Sequence, residues 1–187
     1  MNKKLLIAIG IVAAVIIGLV GIRLTTAPPK YQAASNSTDP QYTAPGLYPN
    51  QIVNNSTAPG IVIKQAITEN NVDAKGNVVD DHLQLTLGNT TSTTMSNLEV
   101  YYVITDTKTG QKESYDTKLT GMTIAPGAAA DVHFDNGSGS GHFPFNKNSI
   151  LATPRNILNI EVEVSAPGYA PQQITVKKAA GGSDKVD

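Results

Sequence analysis

The chain has no cysteine and no tryptophan, and aromatic residues make up only 5% of its 187 positions. Without cysteine there are no disulfides, thiolate nucleophiles, zinc–thiolate sites or iron–sulfur clusters. Aromatics this sparse are a poor basis for stacking bases or sugars. Charge is scarce as well: 16% of residues are charged, 14 Lys+Arg stand against 15 Asp+Glu, and the formal net charge is -1. That balance offers no footprint for a phosphate backbone, so nucleic acid is not expected as a partner. No GxSxG elbow, P-loop, dinucleotide glycine pattern or Ser/His/Asp order occurs. The sequence therefore reads as a non-enzyme with no catalytic residue, no cofactor and no resident metal. Its length suits one ordinary domain plus an appendage.

What the chain does have begins at its start. Lys3 and Lys4 precede an uncharged run, residues 5–22, built only from Leu, Ile, Val, Ala and Gly and closed by Arg23. As a helix those residues rise about 27 Å at about 1.5 Å each, close to the ~30 Å hydrocarbon core of a bilayer. Leu, Ile and Val fill most of the run, and their insertion is favourable by about 5 kcal/mol. The two lysines place the amino terminus in the cytoplasm and everything after Arg23 outside. A cleaved signal peptide would have a shorter apolar stretch and a small-residue cleavage site. Here Thr25-Thr26-Ala27-Pro28 follows instead, so an uncleaved single-pass anchor in the cell membrane is expected. Gly10, Ala14 and Gly18 recur every four residues, forming a small-residue stripe on which two such helices can approach and oligomerise.

Residues 23–60 change character. Pro28, Pro29, Pro40, Pro45, Pro49 and Pro59 interrupt a run of Ser, Thr, Asn and Gln with no hydrophobic period. Such a segment buries too little to offset its ordering entropy and is expected to be a disordered stalk. Its apolar part, residues 47–53, is the piece expected to pack onto the domain or a partner. Asn36, Asn54, Asn55, Asn89 and Asn136 each open an Asn-x-Ser/Thr triplet, the acceptor pattern for glycosylation of an exported chain.

From residue 61 to 178 the pattern becomes short alternating runs separated by turn residues, followed by a flexible tail at 179–187. Strands are expected at 61–69, 82–89, 98–106, 111–117, 119–124, 129–134, 157–165 and 172–178, with Ile61, Ile63 and Ile67 sharing one face of the first. Leu83, Leu85 and Leu87 alternate with His82, Gln84 and Thr86; Leu98, Val100, Tyr102 and Ile104 share the face of another strand. Asp73–Asn77 reads as a turn, residues 106–110 as a hairpin turn with Gly110 at positive φ, and residues 111–117 as a polar edge strand. No helical period appears. The expected fold is all-β: an immunoglobulin-like antiparallel β-sandwich of about seven to nine strands, preceded by the transmembrane helix and the stalk.

Tyr102, Ile104 and Asp106 at alternate positions, followed by Thr107-Lys108-Thr109-Gly110-Gln111, resemble the strand and hairpin of FxLYD-type domains, with Thr105 standing where that motif usually has Tyr. Ile124-Ala125-Pro126-Gly127 and Asp131-Val132-His133-Phe134 resemble the next passage of the same domains, shared with the cell-adhesion-related CARDB modules. The resemblance covers about residues 61–178. It implies an extracytoplasmic binding or spacer module and supplies no catalytic residue.

The remaining chemistry is thin. His82, His133 and His142 are the three histidines; Asp131 and His133 on one strand face, with Asp135 or His142 beyond, make a small metal site conceivable without any ligand-spacing signature. Asp135–Gly141 lacks the carboxylates of a calcium loop and reads as a Gly/Ser loop. Phe143 and Phe145 follow it, either plugging one end of the sandwich or presenting an apolar tip to a partner. Glu161 and Glu163 share one strand face and do not oppose each other across a cleft as a glycosidase pair must, so they read as a charged, aggregation-resistant surface. The function expected is protein–protein interaction from a membrane anchor, in adhesion, envelope attachment or as an accessory subunit of a membrane complex, with a protein partner unnamed by the sequence. The alternative is a secreted or surface-bound metal or small-ligand binder.

Overall fold

The computed structural model describes residues 46–68, 83–135, 137–152 and 156–180. The expected anchor with Gly10, Ala14 and Gly18, most of the stalk with Asn36, the turn Asp73–Asn77, His82 and Asn136 lie outside the described residues, as does most of the tail. Among the described residues the chain is all-β, and no helix there is long and apolar enough to cross a membrane.

Four strands form one sheet in the order β1 (Ile61–Thr68), β2 (Leu83–Asn89), β7 (Ala129–Phe134) and β8 (His142–Phe143). Four more form a second, in the order β10 (Gln172–Lys178), β9 (Leu158–Ser165), β4 (Glu99–Asp106) and β5 (Lys112–Lys118). A two-stranded piece pairs β3 (Met95–Ser96) with β6 (Thr123–Ile124). Every pairing is antiparallel except β7 with β8, which is parallel.

Period-two alternation places the core. Leu83, Leu85 and Leu87 of β2 are fully buried, as are Val100 and Ile104 of β4 and Ile160 and Val164 of β9. The two sheets meet through rings: Tyr102 lies 5.2 Å from Phe134 of the opposite sheet and 5.2 Å from Tyr115 of its own. The contacting apolar faces form one continuous cluster, the arrangement that alternating strands adopt to hide one face each.

Three elements depart from the sequence reading. In β1 the register shifts between Ile63 and Gln65, a bulge that reverses the alternation. Ile63 stays paired with Leu87, but Ala66 rather than Ile67 falls opposite Leu85 and packs on the core. Residues 119–124 yield only the two residues of β6. Leu119 to Met122 is instead a turn, closed by the Met122 N–H on the Leu119 carbonyl at 3.1 Å. The parallel β8 was not signalled by alternation, because two residues carry no period. It depends on Gly141, whose φ is 88° and whose added Cβ would sit 2.7 Å from the Asp131 carbonyl. That close approach delivers the Gly141 carbonyl to the His133 N–H at 2.7 Å.

Candidate functional site

The hairpin of the family resemblance is built by its own aspartate. Asp106 ends β4 and its Oδ1 accepts from the Lys108 and Thr109 N–H groups, at 2.8 and 3.0 Å. Its Oδ2 accepts from the Asn156 amide at 2.7 Å. The Asn156 bond first, and the Thr109 N–H next, hold this carboxyl below its ordinary range. Gly110 follows at φ 74°. Asp106 is thus committed to the turn and is not offered to a ligand.

At the far end of the first sheet, His142 Nδ1 contacts both Asp135 oxygens at 3.0 and 2.9 Å, and the His133 and His142 rings stack at 5.0 Å. Burial pushes the Asp135 carboxyl up; the Gly137 N–H and the His142 ring outweigh that and leave it below the usual range. Asp131 instead accepts from the Thr86 hydroxyl at 2.7 Å. Among the described residues no group of three or more His, Asp or Glu is arranged to hold a metal ion. The Asp135–His142 contact therefore ties together the two ends of the Gly/Ser loop.

Phe143 and Phe145 are buried, 8% and 5% exposed. Phe143 approaches Phe134 at 6.2 Å between ring centres. They close the end of the core, and the exposed apolar tip offered to a partner is not formed. The physical reason is the parallel β8, which turns Phe143 inward beside Phe134.

Two of the glycosylation triplets have their amides in use. Asn89, 2% exposed, donates to the Thr93 and Ile124 carbonyls at 2.7 and 2.9 Å. Asn54 donates to Ser165 Oγ and to the Ala166 and Tyr169 carbonyls at 2.8, 3.0 and 2.9 Å. A glycan on either nitrogen would replace these bonds, so both positions serve the fold. Asn55 is exposed.

The site that the sequence did not assemble, although it singled out Glu161 and Glu163 as a same-face pair, is the outer face of the second sheet. There Tyr101 and Val103 of β4, Glu161 and Glu163 of β9, and Gln173 and Thr175 of β10 line a groove of about 380 Å³. They converge because alternate residues of three neighbouring strands face the same way: Glu163 pairs with both Tyr101 and Gln173, and Glu161 with Val103 and Thr175. Glu163 accepts from the amides of Gln173 at 2.8 Å and Asn50 at 3.2 Å. The Glu161 side chain is exposed and makes no hydrogen bond or ion pair among the described residues. The result is a shallow, mildly acidic groove with an aromatic and aliphatic floor.

One rim of that groove is the chain ahead of β1, which we call the strap, residues 46–53. The Ser114 N–H donates to the Gly46 carbonyl at 2.9 Å. The Ser114 hydroxyl accepts from the Tyr48 N–H at 2.6 Å and donates to the Tyr48 carbonyl at 2.9 Å. Tyr101 Oη donates to that same carbonyl at 2.7 Å. Packing of residues 47–53 onto the domain is thus realised for Leu47 and Tyr48, which are half-buried, while Val53 is 89% exposed. The strap covers the otherwise open edge of β5, which removes a template for strand addition.

No family model and no curated protein matches the chain. Solved structures give distant likenesses only. A structural-genomics target designated SoR45 is 17% identical with a TM-score of 0.39, over 66% of this chain and 89% of that one. The putative ApaA protein from Bordetella pertussis is 14% identical with a TM-score of 0.38, over 66% and 97%. The alkylpurine DNA glycosylase AlkC of Pseudomonas fluorescens is 17% identical with a TM-score of 0.31, over 65% of this chain and 31% of that one. Likeness at this level assigns this chain neither a fold family nor an activity.

Proposed function

We propose that the chain is a single-pass, membrane-anchored extracytoplasmic protein that presents an immunoglobulin-like β-sandwich to a protein partner, without catalysis. Residues 5–22 are the anchor, with residues 1–4 cytoplasmic. Residues 23–60 are the stalk, its last part docked as the strap, and residues 61–178 are the interaction domain of the FxLYD and CARDB type. The Gly10, Ala14 and Gly18 stripe gives the anchor a surface for pairing with a second helix.

The observation that carries the reading is the groove on the second sheet. It combines the Tyr101 and Val103 floor with the Glu161 side chain, exposed and without a partner among the described residues. A groove of this size admits one or two side chains of a partner rather than an enzyme substrate held in a closed cleft. Its chemistry favours a partner side chain with an apolar stem and a cationic or amide head, such as Lys, Arg or Gln.

Fractionation of native membranes with intact-mass analysis tests the anchor. The protein is expected in the alkali-resistant membrane fraction with residues 5–22 retained, and proteolysis from outside should remove the domain. A shorter, soluble species would overturn the reading.

A further inference from the structure

Beneath the strap lies Asp116, midway along β5 and directly opposite Tyr101 of β4. Its Oδ2 is buried and has no hydrogen-bond partner. Glu99 is its diagonal neighbour on the same sheet face, and the Gln51 N–H of the strap is close enough to favour the ionised carboxylate. A buried carboxylate oxygen with no donor, beside a second carboxyl group, is costly to ionise, and a proton on Asp116 relieves that cost. We propose that the strap is a proton-gated latch, docked on β5 while Asp116 carries a proton and released when that proton leaves.

Each element packed here contributes to the balance. From β5, Lys118 favours the ionised form; from β4, Glu99 opposes it; from the strap, the Gln51 N–H favours it. From β9, the Glu163 carboxylate lies across Tyr101 and is held by Asn50 and Gln173. Burial is the largest influence and Glu99 the next, and together they push the Asp116 carboxyl from 3.8 to about 6. The sign follows. A raised carboxyl binds its proton more tightly with the strap docked than with it released, so acid favours docking. That advantage is complete below the ordinary value of 3.8 and is lost as pH rises through about 6. Releasing the strap returns water to the Asp116 carboxylate and frees the Tyr48 and Gly46 carbonyls from Tyr101 and Ser114.

Asn54 is held to the domain by its own hydrogen bonds, so the latch sets whether the chain departs from the β5 edge or from Asn54. Asn50 travels with the strap, so release also opens the groove rim beside Glu163. The latch itself does not depend on what the groove holds.

Hydrogen–deuterium exchange on the full chain, corrected for intrinsic rates and followed at pH 5, 6 and 7.5, reads the latch directly. The Tyr48, Gln51 and Ser114 amides should lose protection about three- to tenfold between pH 5 and 7.5, an amount discounted for the solvent that screens a partly exposed carboxyl. Core amides of Tyr102 and Ile160 should keep theirs. Asp116→Asn should hold the strap amides at their acid-side protection at every pH. Glu99→Gln, which gives an ionised Asp116 an amide donor, should flatten the profile too. Strap protection that is independent of pH in the unmodified chain, or equally pH-dependent in Asp116→Asn, would overturn the proposal. So would loss of core protection in step with the strap.

Discussion

At the scale of single residues, side chains that look like surface features turn out to hold loops. Asn89 is the clearest: its Nδ2 bridges the carbonyls of Thr93 and Ile124, and its Oδ1 accepts from the Thr91 N–H and hydroxyl. Removing it takes a donor from the Thr93 and Ile124 carbonyls and an acceptor from the Thr91 N–H and hydroxyl. Asn89→Ala should therefore cost about 2–3 kcal/mol, measured as a lowered urea midpoint with an unchanged slope. Asn55→Ala, one residue from the bonded Asn54 but exposed, should change stability by less than about 0.5 kcal/mol. The triplet pattern in the sequence could not separate these cases. An asparagine that folds back on its own loop and one that awaits a glycan have the same neighbours in the chain, and only burial tells them apart. The aspartate of the hairpin was legible, because Asp followed by Gly four residues on leaves a carboxylate facing two free N–H groups.

At the scale of elements, long alternating strands were readable and short or polar ones were not. β2, β4, β7 and β9 announce themselves because every second residue is Leu, Ile, Val or a ring, and burial follows that alternation. β1 carried a misleading signal, since one extra residue at Lys64 exchanges the faces of everything after it. β5 has the sequence KESYDTK and was expected to be a polar edge strand. It is an edge strand, yet Glu113, Ser114 and Tyr115 are buried, because the strap covers one side and the loop after Phe145 covers the end. Glu113 is what fastens that loop. Its Oε2 accepts from Tyr115 Oη at 2.9 Å and from the Ile150 N–H at 3.0 Å, and Asn146 donates to Tyr115 Oη at 3.2 Å. Burial raises the Glu113 carboxyl, and the Ile150 and Tyr115 bonds only partly offset it. Glu113→Ala should destabilise by about 2–4 kcal/mol, because buried donors lose their acceptor. Glu113→Gln keeps an acceptor and sheds the charge, so it should cost under about 1 kcal/mol at pH 5 and be relatively more favourable at pH 7.5. Urea unfolding of both variants at the two pH values checks this. No hydrophobic pattern could have revealed the network, since it is made of polar groups that satisfy one another.

For the whole molecule, these carboxyls act in opposite directions and together set a pH profile. Glu113 and Asp116 are raised, so their contribution declines as pH climbs above the ordinary carboxylate range. Asp106 and Asp135 are lowered, so theirs is present above that range and declines as pH falls through it. Thermal stability should peak at about pH 4–5 and fall toward pH 7.5; a peak at pH 7 or above in a calorimetric series would contradict the assignments. The anchor proposed for residues 5–22 rests on the match between the length of that apolar run and bilayer thickness. The groove depends on which residues of β4, β9 and β10 stand side by side, and pairing across strands distant in the chain is not written in any local pattern. The most direct measurement places a photo-crosslinking residue at Thr175, exposed beside the groove, in the full-length protein in its native membrane, with Gln65 of the opposite sheet as the reference position. The account predicts one discrete protein adduct from Thr175, lost in the Glu161→Lys background and absent from Gln65. No adduct at Thr175, or the same adducts from both positions, would contradict it.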